Sequence, residues 1–129
     1  MPGDNKIQLD TNFLINALNP KSAEAHLLRV WIEAGVELSL SIMAWSEFLC
    51  GPVDNEDIVE WGKIISVIYP TTQSQGELAA QLFNKTGRRS RSLPDCLIAA
   101  CAMEKECRLA TSNKKDFIHF LDFGLKLAE

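Results

Sequence analysis

Two rhythms of apolar and polar residues alternate along this chain. Apolar residues recur at i, i+1, i+4 and i+5, the spacing that lines one face of a helix. The rhythm appears as Phe13/Leu14/Ala17/Leu18, Leu27/Leu28/Trp31/Ile32, Leu78/Ala79/Leu82/Phe83 and Leu97/Ile98/Cys101/Ala102. Two close variants, Trp45/Phe48/Leu49 and Ile58/Trp61/Ile64/Ile65, bring the helical segments to about six. Between them lie strand candidates at Lys6–Leu9, Glu37–Ser41, Ser66–Tyr69 and Arg108–Ala110, with a further one at Asp122–Leu125. Strands alternating with helices predict an α/β fold, a parallel sheet covered on both faces. In such sheets the functional crevice lies beyond the carboxyl ends of the strands.

Acidic residues stand at those ends. The first strand runs into Asp10, followed by Thr11 and Asn12. The second leads through Ser41 into a helix that carries Glu47 about a turn inside. Leu93-Pro94 stops the chain, and Asp95 is expected to open a helix from Cys96 to Glu106. After the strand Arg108–Ala110 come Thr111, Ser112 and Asn113, then Lys114-Lys115-Asp116. Taken singly, each acid has an ordinary structural role: Asp10 and Asp95 as N-caps, Glu47 as a complement to a helix dipole, Asp116 as a solvated loop residue. Taken together, they converge on one crevice. Asp10 and Glu47 are also embedded in apolar sequence, where a lone buried charge is costly. Four carboxylates that close raise one another's pKa or require a cation.

Composition narrows the classes. At 129 residues the chain is expected to form one domain over 1–129, and 47% apolar with 23% charged residues describes a globular protein rather than a disordered one. No apolar run approaches the roughly 20 residues of a membrane span. Met1–Lys6 is polar and leads straight into a strand, so no signal peptide and a cytoplasmic location are expected. Cys50, Cys96, Cys101 and Cys107 form no C-x-x-C pair and have neither His26 nor His119 near them in sequence, so buried free thiols are expected. A net charge of −4 argues against a broad basic nucleic-acid surface. It leaves room for an acidic pocket that holds cations beside a local basic patch. Carboxylates without histidine, cysteine or a phosphate-binding glycine loop fit metal-assisted phosphodiester hydrolysis.

The chain resembles the PIN-domain nucleases, and within them the VapC-type toxins of type II toxin–antitoxin pairs. The resemblance runs from Leu9-Asp10-Thr11-Asn12, through Ser46-Glu47-Phe48-Leu49-Cys50-Gly51 and Leu93-Pro94-Asp95-Cys96-Leu97-Ile98-Ala99-Ala100, to Thr111-Ser112-Asn113-Lys114-Lys115-Asp116-Phe117. It implies a three-layer α/β/α sandwich around a parallel sheet, dependence on Mg²⁺ or Mn²⁺, RNA as substrate, and an antitoxin and a second copy of the chain as partners. Asp10, Glu47, Asp95 and Asp116 match the family's acidic metal and catalytic positions, supported by Thr11, Asn12, Thr111 and Asn113. Because the position of Asn113 is sometimes acidic in the family, Asn113 and Asp116 compete as the nearer fourth site residue.

Basic residues cluster just before Asp95 and around the last motif, and Arg88, Arg89, Arg91 and Lys114 are candidate contacts to an RNA backbone; a solvated charged loop is the other reading. Trp31, Trp45 and Trp61 fit core packing. One of the helices at Ala23–Glu33 and Ile58–Ile65 is the alternative docking face for a second copy or an antitoxin helix. Two other functions compete: a catalytically inactive PIN-like module that only binds RNA or protein, and a haloacid-dehalogenase-type phosphatase. The second wants an aspartate two residues after the first, where this chain has Asn12.

Overall fold

The computed structural model describes residues 5–86 and 93–128. The elements in order are β1 (Lys6–Leu9), α1 (Thr11–Ala17), α2 (Ala23–Glu33), β2 (Glu37–Ser41), α3 (Ile42–Leu49), α4 (Asn55–Ile64), β3 (Val67–Tyr69), α5 (Gln73–Lys85), α6 (Leu93–Glu104) and β4 (Arg108–Ala110). Two short 3-10 segments, Lys114–Asp116 and Ile118–Phe123, follow. The Arg88, Arg89 and Arg91 expected to contact RNA lie outside the described residues.

The four strands form one parallel sheet in the order β3-β2-β1-β4, with Ile7 beside Leu38 and Arg108, and Leu40 beside Ile68. Strand alternation divides the interior in two. Ile7, Leu9, Leu38, Leu40 and Ala110 face a core completed by Phe13, Leu14, Leu28, Phe48 and Trp61 from α1 to α4. Leu109 belongs to the opposite core, with Ala79 and Leu82 of α5 and Ile98, Ala99 and Ala102 of α6. A fully buried leucine contributes about 1.5–3 kcal/mol, and a one-residue slip would carry all of β1 to the wrong face. The pattern therefore fixes the register. This is the expected α/β/α arrangement.

The alternation has polar members too. Gln8, fully buried, donates from Nε2 to the Ile98 carbonyl at 3.1 Å, and Ser39 sits 3.9 Å from the Cys107 thiol. α6 above them is apolar through its middle, with Cys96, Ile98, Ala99, Ala100, Cys101 and Ala102 all buried. Such a helix belongs inside, and its small residues let it lie close to the sheet.

From β1 to β3 the chain steps steadily in one direction. It then crosses back past β1 to place β4 on the other side, so a topological switch lies between β1 and β4. Right-handed crossovers running in opposite directions put their helices on opposite faces, which is why α5 and α6 cover the second core.

Three local expectations change, and that for the tryptophans stands. α6 starts at Leu93 rather than after Pro94, because proline is well tolerated in a first turn whose N–H groups have no helical partner. Asp122–Leu125 is not a strand: the 3-10 segment ends at Phe123 and Gly124 takes φ 111°, a left-handed conformation that suits glycine. The extended pairing falls just beyond, where Leu109 N–H donates to the Lys126 carbonyl and Ala128 N–H donates to the Leu109 carbonyl, both at 2.8 Å. Cys50 is exposed, because it caps the end of α3, whereas Cys96, Cys101 and Cys107 are buried; all four are free thiols. Trp61 is in the core and Trp31 and Trp45 pack partly buried against it.

Candidate active site

The switch point between β1 and β4 is where an open parallel sheet leaves a crevice. Asp10 follows β1 directly, and its N–H donates to the Ala110 carbonyl at 2.9 Å, carrying the pairing one residue past the strand. Its extended backbone makes it the N-cap of α1, with Oδ1 accepting the Thr11 N–H at 2.8 Å. Oδ2 accepts the Thr111 hydroxyl, also at 2.8 Å. Asp10 is thus a cap and a member of the crevice at once.

A cavity of about 290 Å³ opens at this point, lined by Asp10, Thr11, Asn12, Glu47, Pro94, Asp95, Asn113 and Asp116. All four acids singled out in the sequence line it. Four different segments deliver them: the end of β1, the second turn of α3, the first turn of α6 and the 3-10 segment after β4. Glu47 is exposed rather than buried. In α3 the core is taken by Ala44 and Phe48, four residues apart on one face, which turns Glu47 to the rim.

Neutral donors also reach Glu47 and Asp116. Thr11 Oγ1 donates to Glu47 Oε1 at 2.9 Å, and Asn113 Nδ2 donates to Asp116 Oδ2 at 2.6 Å. The Thr111 hydroxyl, while donating to Asp10, accepts the Asn113 N–H at 3.0 Å. Asn113 and Asp116 both line the cavity and are hydrogen-bonded to each other. Among the described residues, no three carboxylate, histidine or cysteine groups already converge closely enough to cage a metal ion.

Burial pushes the Asp10 carboxyl up from its ordinary 3.8 to about 6. The Thr111 hydroxyl and the Thr11 N–H pull it down, and the charges of Glu47 and Asp116 push it up further. Among the described residues, the groups acting on Asp10 are neutral donors and like charges, a setting that favours a cation beside it. The donor set is also chemically consistent: carboxylate, hydroxyl and amide oxygens are the ligands of hard divalent ions, and Mg²⁺ needs only one or two carboxylates with water and substrate phosphate. These residues fit such an ion.

Lys114, expected near RNA, lines not this cavity but an adjoining groove, together with Lys115. Two residues that the sequence did not single out meet in this groove. Ser112 Oγ donates to Glu24 Oε2 at 2.6 Å, and Asn16 Nδ2 donates to the same oxygen at 3.4 Å, tying the loop after β4 to α2 and α1. Ser112 lies inside a motif already visible; Glu24 is 88 positions away and carries no local signal.

No helix among the described residues is long and apolar enough to cross a membrane. No curated protein matches the chain. Among solved structures it is similar to a toxin–antitoxin complex from Klebsiella pneumoniae, at 25% identity over 86% of this chain and 89% of that one, with a TM-score of 0.69. It shares the fold of VapBC-1 from nontypeable Haemophilus influenzae, at 20% identity over 96% and 97% of the two chains and a TM-score of 0.73. The same holds for VapBC2 from Rickettsia felis bound to a promoter DNA fragment, at 16% identity over 95% and 97% and a TM-score of 0.75. The PIN domain model matches residues 7–120, which is most of the chain, and the protein belongs to the PIN domain family.

Proposed function

We propose that this protein is a single-domain, divalent-metal-dependent endoribonuclease and the toxin of a toxin–antitoxin pair. The observation that carries the reading is the convergence of Asp10, Glu47, Asp95 and Asp116 on one cavity at the sheet's switch point, with Asp10 buried among like charges. Membership of the PIN family and the likeness to toxin–antitoxin complexes support it. An antitoxin and a second copy of the chain are the proposed protein partners.

In this reading Asp10, Glu47, Asp95 and Asp116 would hold Mg²⁺ or Mn²⁺. Such an ion would supply Lewis-acid charge for phosphodiester hydrolysis. The chain's own contribution is positioning. Thr111 and the Thr11 N–H fix both oxygens of Asp10, Thr11 orients Glu47, and Asn113 orients Asp116. Asn12, exposed on the cavity wall, contacts substrate or an ordered water. Lys114, with Arg88, Arg89 and Arg91, draws in the phosphate backbone.

The test is direct. Purified protein should cleave RNA with Mg²⁺ or Mn²⁺, stop in EDTA, and be inactive as Asp10→Asn. A protein that binds RNA and metal yet cleaves no RNA would make it a binding module.

A further inference from the structure

We propose that the groove beside the acidic cavity is the subsite for the nucleotide next to the cleaved phosphodiester, and that Glu24 makes it select a base bearing an exocyclic amino group. This rests on the reading of the chain as a ribonuclease.

The groove encloses about 540 Å³, within the range of roughly 300–1,000 Å³ typical of small-molecule sites. Its floor is apolar and aromatic, from Phe13, Leu27 and Trp31. Trp31 is half-buried and stacks on Phe13 with ring centroids 5.6 Å apart and planes 24° from parallel, so its indole is held rigid at the wall. Aromatic walls of this kind accept a base, because every base has a π-face. The other wall is polar: Glu24, Ser112, Asn113, Lys114 and Lys115.

Three features favour a nucleotide as occupant. The groove is continuous with the acidic cavity, since Asn113 lines both. A strand with one phosphate at Asp10 therefore has its neighbouring nucleotide at this opening. The two exposed lysines stand at the groove rather than in the acidic cavity, where a flanking phosphate needs them. Finally, the Ser112 hydroxyl, and to a smaller degree Asn16, hold the Glu24 carboxyl below its ordinary range. An ionised carboxylate only accepts hydrogen bonds. It matches the amino groups of adenine, cytosine or guanine and opposes the carbonyl-rich edge of uracil.

Two measurements test this. RNA with randomised sequence is cleaved and the ends sequenced, for the wild type and for Glu24→Gln. The glutamine keeps the length and an acceptor oxygen for Ser112, but its amide can also donate. The wild type should disfavour uracil at one fixed position beside the cut by about tenfold, and Glu24→Gln should erase that discrimination. Separately, metal-free protein is titrated with the four nucleoside 5′-monophosphates, following tryptophan fluorescence and backbone amide shifts. AMP, CMP and GMP should bind more tightly than UMP, with shifts at residues 111–115, and Glu24→Gln should remove the difference.

Uniform slowing of Glu24→Gln at every sequence, with base preference unchanged, would assign Glu24 a structural role and overturn the inference. So would a groove that ignores all four nucleotides while Leu27→Asp abolishes neutralisation by a protein partner. Absence of cleavage by the wild type would count against the ribonuclease reading instead, and the metal-free titration would still decide the groove.

Discussion

Thr111 donates its hydroxyl to Asp10 Oδ2 at 2.8 Å, and the hydroxyl oxygen in turn accepts the N–H of Asn113. One side chain thereby joins the ends of β1 and β4 and sets the loop that carries Asp116. Thr111→Val keeps the shape and removes both bonds. Leaving the buried Asp10 carboxylate and the partly buried Asn113 N–H without this partner should cost about 1–3 kcal/mol in urea denaturation. Because that hydroxyl lowers the Asp10 pKa, its loss should also move the acid limb of cleavage to higher pH.

Asp10 makes the metal-free protein sensitive to pH. Its folded pKa of about 6 lies above the ordinary 3.8, so the folded state binds this proton more tightly than the unfolded chain does. The associated stability is fully present below about pH 4 and is lost as pH rises through 6, on the order of 3 kcal/mol in all. Asn is as good an N-cap as Asp and carries no charge. In EDTA, Asp10→Asn should match the wild type near pH 4 and exceed it in stability at neutral pH, while cleavage is lost.

Asn113 and Asp116 should behave as a unit. Asn113→Ala and Asp116→Asn should each lower cleavage, and the double variant should lose less than the sum of the two on a free-energy scale. Additive losses would show that the bond between them does not position the carboxylate.

The basic segment before α6 offers an ionic-strength test. Arg88→Ala with Arg89→Ala should weaken RNA binding and flatten its dependence on salt. For every phosphate that an arginine no longer neutralises, the slope of log K against log salt should fall by about 0.7 on a single strand. Unchanged binding and slope would remove these residues from the substrate path.

Gln8 is buried beneath α6, and its Oε1 has no hydrogen-bond partner among the described residues. Gln8→Met gives up one bond to the Ile98 carbonyl and relieves that oxygen of its desolvation. The change in stability should stay within about 1 kcal/mol, in contrast to roughly 2–5 kcal/mol for Leu9→Ala on the other face.

Much of this architecture is legible in the chain because it is written locally. Period-two and helical spacing place the four strands and the helices, since each element must bury one face. Asp10 is legible twice over, as a cap and as a strand-end acid, and the structure makes both true. Glu47 reads as buried but is exposed, because its apolar neighbours in sequence lie on other faces of the helix. Asp122–Leu125 reads as a strand because an apolar run cannot announce a 3-10 segment closed by a left-handed glycine. Glu24 is invisible for a different reason: its partner is brought to it only by the pairing of β4 with β1.

That pairing of the first strand with the last has a consequence in time. Asp10 and Thr111 are separated by 101 positions, so about 5–20 seconds of synthesis pass between them at ordinary elongation rates. Throughout that interval the emerging chain holds Asp10 and later Glu47, but neither the hydroxyl that braces Asp10 nor the loop that brings Asp116. The acidic cavity comes into being only as the final segment docks, so an unfinished chain on the ribosome is an incomplete nuclease beside the RNA being read.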